Sequence, residues 1–246
     1  MTTDLYVCIM AGGRGSRMRS DVPKYLHKIH GKEMIVYIIE AVRPLTDKIF
    51  VVLSPHSVSQ CNFLLEKFPN LQFVIQPTPE GTGHAVQVFV NHFDGHNEDS
   101  CVLILNADTP FIPSSLLEKF VGNLTTKNVG SAVIGARLTN PKGYGRLILR
   151  DDGRLIRIEE EKDCVDKENN QCNMGIYLFS WENLQHIFCL NNHNNAHEYY
   201  LTDIFRFLPD PAHVWMLPER DTPFFQGINT PEELQAAIDQ HFVGGS

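Results

Sequence analysis

Leu5-Tyr6-Val7-Cys8-Ile9-Met10-Ala11-Gly12-Gly13 is a continuous apolar run that stops at a pair of glycines. A strand with one wet face would alternate polar and apolar residues. An unbroken short run bounded by glycine reads instead as a β-strand covered on both faces. Working outward, a helical pattern covers Met34–Val42, and Ile49–Leu53 reads as a second strand. Residues 58–67 are helix-like, 73–75 form a third strand, 84–90 look helical, and 102–105 form a fourth strand. Strands alternating with helices imply βαβ units and a parallel sheet. Ligands of such sheets bind beyond the carboxyl ends of the strands. The loops after Met10, Ile75 and Leu105 are therefore where chemistry is expected.

The second half is less regular. Strands are expected at 131–136, Arg146–Leu149, Leu155–Glu159, 174–179 and 214–217, with Asp151-Asp152-Gly153 as a hairpin turn. Helices fit 181–188, 202–208 and 232–242, and Asn191-Asn192-His193-Asn194-Asn195 reads as a solvated connection. The expected fold class is α/β, a Rossmann-like mixed but mostly parallel sheet flanked by helices, with a small β-rich lobe. The 246 residues are expected to form one domain, with halves at about 1–110 and 111–230 and a helix at the end.

The chain is 43% hydrophobic and 20% charged, enough to bury a full core. Its formal charge of -8 disfavours nucleic acid and anionic membrane as partners, which select a basic face. No run approaches the roughly 18 apolar residues of a membrane helix, and no secretory leader is visible. The six cysteines include no Cys-x-x-Cys pair, so reduced thiols in a cytoplasmic protein are expected.

After the first strand come Gly12-Gly13-Arg14-Gly15-Ser16-Arg17 and then Pro23-Lys24. Glycines let the backbone approach a polyphosphate, Arg17 offers a planar fork of donors, and Lys24 a point charge. Neither the dinucleotide fingerprint nor the P-loop is matched, and the loop by itself also fits a plain tight turn.

Met10 to Met18 with Pro23-Lys24 resembles the signature of the sugar nucleotidyltransferases. The continuation Lys24-Tyr25-Leu26-His27-Lys28-Ile29-His30-Gly31-Lys32 is similar to the uridylyltransferase domain of the GlmU family. The resemblance recurs at Gln76-Pro77, Gly81-Thr82-Gly83-His84-Ala85, Asp108, Gly143-Tyr144-Gly145-Arg146 and Glu160-Glu161-Lys162-Asp163. It continues at Asn173-Met174-Gly175, Glu198-Tyr199-Tyr200-Leu201-Thr202-Asp203 and Gly227-Ile228-Asn229. It implies the nucleotide-diphospho-sugar transferase fold and Mg²⁺-dependent transfer of uridylyl from UTP to a sugar-1-phosphate. N-acetylglucosamine-1-phosphate is the first expected acceptor.

The resemblance assigns Met10, Ala11, Gly12, Gly13, Gln76, Gly81, Thr82 and Ala107 to the nucleotide. It assigns Gly145, Glu160, Asn173, Tyr200 and Thr202 to the sugar, Arg17 and Lys24 to catalysis, and Asp108 and Asn229 to the metal. Residue chemistry accords with this. The Gln76 amide offers one donor and one acceptor to a uracil edge, and Gly81 and Gly83 allow close backbone approach. A carboxylate at a strand end suits Mg²⁺ near phosphates, although Asp108 also fits an Asx turn. Thr230-Pro231-Glu232-Glu233 reads as a capping box, which leaves Asn229 without a capping task. Glu160 also fits a solvated acidic face, and Tyr199 and Tyr200 also fit core aromatics.

Departures from the family pattern are Ala11-Gly12-Gly13, Asn106-Ala107-Asp108 and Asn173-Met174-Gly175, which by the resemblance touch the base and sugar pockets. Another sugar phosphate such as glucose-1-phosphate, or another nucleotide, stays open. So does a nucleotide-binding regulator without turnover, against which the presence of Arg17, Lys24, Asp108 and Asn229 together speaks. No hexapeptide repeat occurs, so neither acetyl transfer nor the trimer of an acetyltransferase domain is expected.

Overall fold

The structure is a computed structural model that describes residues 4–13, 15–92, 99–125 and 129–240. In chain order, β1 (Leu5–Ala11) is followed by a small hairpin, β2 (Lys28–Ile29) and β3 (Lys32–Glu33). Then come α1 (Met34–Val42), β4 (Ile49–Leu53), α2 (Val58–Cys61), α3 (Phe63–Lys67), β5 (Gln72–Ile75), α4 (Thr82–Asn91) and β6 (Cys101–Asn106). The second half holds α5 (Ser114–Thr125), β7 (Ser131–Arg137), β8 (Arg146–Leu149), β9 (Leu155–Glu159) and β10 (Gln171–Ser180). It closes with α6 (Trp181–Leu184), β11 (His213–Met216) and α7 (Pro231–Asp239).

Among the described residues the main sheet runs β11-β7-β10-β6-β1-β4-β5, with β8 on β10 and β9 on β8. The pairs β1–β4, β1–β6, β4–β5 and β7–β11 are parallel. The long strand β10 runs antiparallel between β6 and β7 and also starts the β8–β9 extension. The sheet is thus mixed and mostly parallel, flanked by helices, with a small β-rich lobe.

The uniform apolarity of β1 follows from its central place. Val7, Ile9 and Ala11 face one core with Ile35, Ile38 and Ile39 of α1 and Leu117 and Phe120 of α5. Tyr6, Cys8 and Met10 face the other core with Val86 and Phe89 of α4 and Trp181 and Leu184 of α6. Period-two geometry sends alternate residues to opposite faces, and helices dry both.

Several local readings change. Residues 58–67 split into α2 and α3 at Asn62, and 181–188 keeps one α-turn before a 3-10 stretch, Gln185–Cys189. The expected helix at 202–208 is a 3-10 turn, Leu201–Arg206. Helix α4 starts at Thr82, two residues before the expected start. Helix α5 is absent from the sequence reading; its Leu117 and Phe120 are buried at helical spacing, but Gly122 and the polar residues around them dilute the signal. For the final helix the capping box is present, and α7 is described to Asp239; His241 and Phe242 lie outside the described residues, as does Arg14. No helix among the described residues is long and apolar enough to cross a membrane.

Candidate functional site

A cleft of about 740 Å³ opens beyond the carboxyl ends of β1 and β6. Its wall carries Met10, Ala11, Gly12 and Gly13 from β1 and its loop, Gln76, Gly81 and Thr82 from the β5–α4 connection, and Ala107 after β6. An adjoining hollow of about 340 Å³ carries Gly145, Glu160, Asn173, Tyr200 and Thr202. Arg17, Asp108 and Asn229 border both spaces, while Lys24 lines the larger one. Residues far apart in sequence, from Arg17 to Asn229, are therefore gathered at one junction.

At that junction the Lys24 ammonium pairs with the Asp108 carboxylate and donates to Asn229 Oδ1 at 3.0 Å. Arg17 Nη2 donates to the same Oδ1 at 2.9 Å. Lys24 begins a 3-10 turn after Pro23, and Asp108 lies just past the end of β6. The Asp108 carbonyl accepts from the Ile228 amide at 2.8 Å, which draws the segment carrying Asn229 to the strand end. The Thr230 side chain caps α7 and leaves the Asn229 side chain to the cleft. Glu233 Oε2 accepts from the Asn229 backbone amide at 2.6 Å, so the capping box also seats Asn229.

No group of three or more His, Cys, Asp or Glu side chains able to hold a metal occurs among the described residues. The oxygens at the junction are one carboxylate and one amide, and both already converge on a single cation, the Lys24 ammonium. That hard-oxygen pair fits Mg²⁺, which takes one or two protein oxygens and fills its shell with water and phosphate.

At the β5–α4 end of the larger cleft Gln76 is buried, and its Nε2 donates to the Gly81 carbonyl at 3.1 Å. Its Oε1 lies over Gly12, where a Cβ would collide with it. Gly81 has φ +111°, and a Cβ there would meet Tyr199 O at 2.5 Å. Gly83, expected to offer close backbone approach, lines neither space. Its amide bonds Tyr199 O at 2.7 Å, and its Cα packs on Tyr199 and Leu190, because the chain at 198–201 docks onto the start of α4. Thr82 Oγ1 accepts from the Leu201 amide at 3.0 Å within the same junction.

In the smaller hollow Thr202 Oγ1 donates to Glu160 Oε1 at 2.7 Å. Burial pushes the Glu160 carboxyl above its ordinary range; the Thr202 bond opposes this, and Asp203, Asp163 and Glu198 add to it. Asn173 Nδ2 donates to the Tyr177 hydroxyl at 2.6 Å, and its Oδ1 accepts from the Gly175 amide at 3.0 Å. A register shift in β10 between Asn173 and Tyr177 brings these residues together. Burial likewise raises the Tyr200 phenol. Tyr199 sits partly buried against the core, its ring 6.4 Å from that of His84.

Sequence reasoning gives no individual role to Asn106, Glu198 or Tyr177. Asn106 and Glu198 border both spaces and Tyr177 borders the hollow. Asn106, the last residue of β6, belongs to a string the sequence singles out only through Asp108 and Ala107; Tyr177 stands inside an apolar strand run and reads as core, and only the β10 irregularity exposes it. Glu198 belongs to a motif in which it has no role of its own assigned.

The MobA-like NTP transferase domain family matches residues 7–165. Among curated proteins, the bifunctional protein GlmU of Nostoc sp. is 36% identical over 236 residues, covering 95% of this chain and 51% of the relative. GlmU of Acaryochloris marina is 35% identical over 234 residues, covering 94% and 50%. The chain thus spans about half the length of the curated relatives it matches. A Bacillus anthracis structure assigned as a glucose-1-phosphate thymidylyltransferase, in complex with a sucrose, shares the fold. Its TM-score is 0.75 at 18% identity, over 96% of this chain and 94% of that one. The glycine loop after β1, Asp108 and the hollow's Gly145 and Glu160 all fall inside the matched span, and the chain belongs to the MobA-like NTP transferase domain family.

Proposed function

We propose that the protein transfers uridylyl from UTP to a sugar-1-phosphate, N-acetylglucosamine-1-phosphate first among them, releasing pyrophosphate. The observation that carries this reading is the meeting of Arg17, Lys24, Asp108 and Asn229 where the two spaces join. The larger cleft takes the nucleotide, with Gln76 and Gly81 at the base and the glycine loop along the phosphates. The smaller takes the sugar, its hydroxyls on Glu160, Asn173 and the Gly145 backbone, with Tyr200 and Thr202 beside the acetyl group. The acceptor's phosphate oxygen attacks the α-phosphorus of UTP, a new P–O bond forms, and the bond to the β-phosphate oxygen breaks in line.

The attacking phosphate is already an anion, so no side chain need remove a proton. The work of the chain is to bring two anions together and to hold positive charge where negative charge gathers. Arg17 and Lys24 do this from the glycine-loop side. Asp108 and Asn229 would hold Mg²⁺, which when bound neutralises phosphate oxygens. The six unpaired cysteines accord with a cytoplasmic setting.

Incubation with UTP, Mg²⁺ and N-acetylglucosamine-1-phosphate, followed by mass analysis, tests the reading; UDP-N-acetylglucosamine and pyrophosphate are expected. The same assay with glucose-1-phosphate and with the other nucleoside triphosphates ranks donor and acceptor. Tight UTP binding without pyrophosphate release for any sugar phosphate would refute it in favour of a nucleotide-binding regulator.

A further inference from the structure

The Lys24 ammonium engages both oxygens assigned above to the divalent cation. It pairs with Asp108 and bonds Asn229 Oδ1, and Arg17 shares that second oxygen. Mg²⁺ sits about 2.0–2.1 Å from its oxygens, so an ion on Asp108 and Asn229 would lie in direct electrostatic conflict with the ammonium already there. Nor is Lys24 there by chance of a loose surface chain. Its side chain is 19% exposed and that of Asp108 15%. Its stem runs against Gly15, where a Cβ would come within 2.9 Å of Lys24 Cβ.

We propose that Lys24 is a resident substitute for the divalent cation, released from Asp108 and Asn229 only when a triphosphate offers its ammonium a new anionic partner. Metal and nucleotide then bind synergistically, and the free protein resists the metal alone. The inference rests on the reading of Asp108 and Asn229 as the cation site. Its physical basis is charge. Without nucleotide, an entering dication would strand the Lys24 ammonium beside it in a mostly buried cleft, with Arg17 also displaced from Asn229. With a triphosphate, those same two side chains find phosphate oxygens within the cleft, and the dication gains phosphate ligands as well. By linkage the coupling is reciprocal, so the metal tightens nucleotide binding by the factor by which nucleotide tightens metal binding.

Mn²⁺ serves as probe, its binding followed by electron paramagnetic resonance with and without a non-hydrolysable UTP analogue, corrected for Mn²⁺ held by the analogue alone. Without nucleotide, the wild-type protein is expected to bind Mn²⁺ no better than Asp108→Asn. Lys24→Met is expected to bind it about tenfold tighter than wild type, a coupling within the usual range. Lys24→Arg, which keeps a cation, should stay near wild type. Lys24→Gln repeats the test should Met disturb folding, with thermal midpoints measured for each.

If neither Lys24→Met nor Lys24→Gln, when folded, binds Mn²⁺ more tightly than wild type, while Asp108→Asn abolishes nucleotide-dependent binding, the substitution idea is overturned and the cation site stands. If Asp108→Asn leaves nucleotide-dependent Mn²⁺ binding intact, the cation site itself is wrong and the inference falls with it.

Discussion

Replacing Gly81 by alanine tests how the β5–α4 side of the cleft is built. Gly81 has φ +111°, outside the regions open to L-residues, so any side chain incurs a backbone strain of about 1–3 kcal/mol. The added Cβ would also lie 2.5 Å from Tyr199 O and 2.9 Å from Tyr199 N, both backbone atoms. Overpacking of that kind adds about 1–3 kcal/mol, for a total of roughly 2–6 kcal/mol on these two ranges. Gly153 separates the two contributions. It has φ +79°, and a Cβ placed there would meet nothing within 4 Å, so Gly153→Ala gives a reference for positive-φ strain without a steric contact. Urea unfolding of both variants and of wild type gives the difference directly. Gly81→Ala should lose stability by about 1–3 kcal/mol more than Gly153→Ala. It should also raise KM for the nucleotide, because the Gly81 carbonyl that orients Gln76 Nε2 must shift. Equal losses in the two variants would mean that the Tyr199 segment yields freely, and the account of a rigid junction between 80–83 and 198–201 would be wrong.

Asp108→Asn should lower kcat about 10²–10³-fold; wild-type turnover in the folded variant would remove Asp108 from the chemistry. Glu160 should make sugar binding acid-sensitive. Its folded carboxyl titrates above the ordinary 4.5, so KM for the sugar phosphate should start to rise on the acid side at a higher pH than an ordinary carboxylate would produce. Glu160→Gln should flatten that limb. The same shift fixes the sign for stability: the fold favours the neutral acid, so stability is lost as pH rises from 4.5 through the folded value. Glu160→Gln should therefore be the more stable protein above that window and match wild type below it, as read by thermal midpoints across pH. Thr230→Ala deletes the side-chain bond to the Glu233 amide and should cost about 1 kcal/mol in urea unfolding. Glu233→Ala should in addition raise the Mg²⁺ needed for half-maximal rate, since Glu233 seats the Asn229 backbone; an unchanged Mg²⁺ dependence would deny the capping box that second task.

How far the sequence alone reaches depends on whether the physics is local. The apolar run at 5–10, the strand at 49–53 and the helix at 34–42 are legible because burial on both faces, or on one helical stripe, writes its own periodicity. The capping box at Thr230 and the turn at Gly153 are legible because their chemistry closes within a few residues. The ordered motifs from Gly12 to Asn229 name the candidate site residues without locating them. Only the folded chain decides that β10 inserts antiparallel between β6 and β7, since strand order depends on partners distant in sequence. Only the fold reveals that Tyr177 borders the site, that Gly83 serves Tyr199 rather than the cleft, and that Lys24 holds Asp108 and Asn229 together. Those are contacts between distant segments, and their energies come from burial and charge that no stretch of sequence carries by itself.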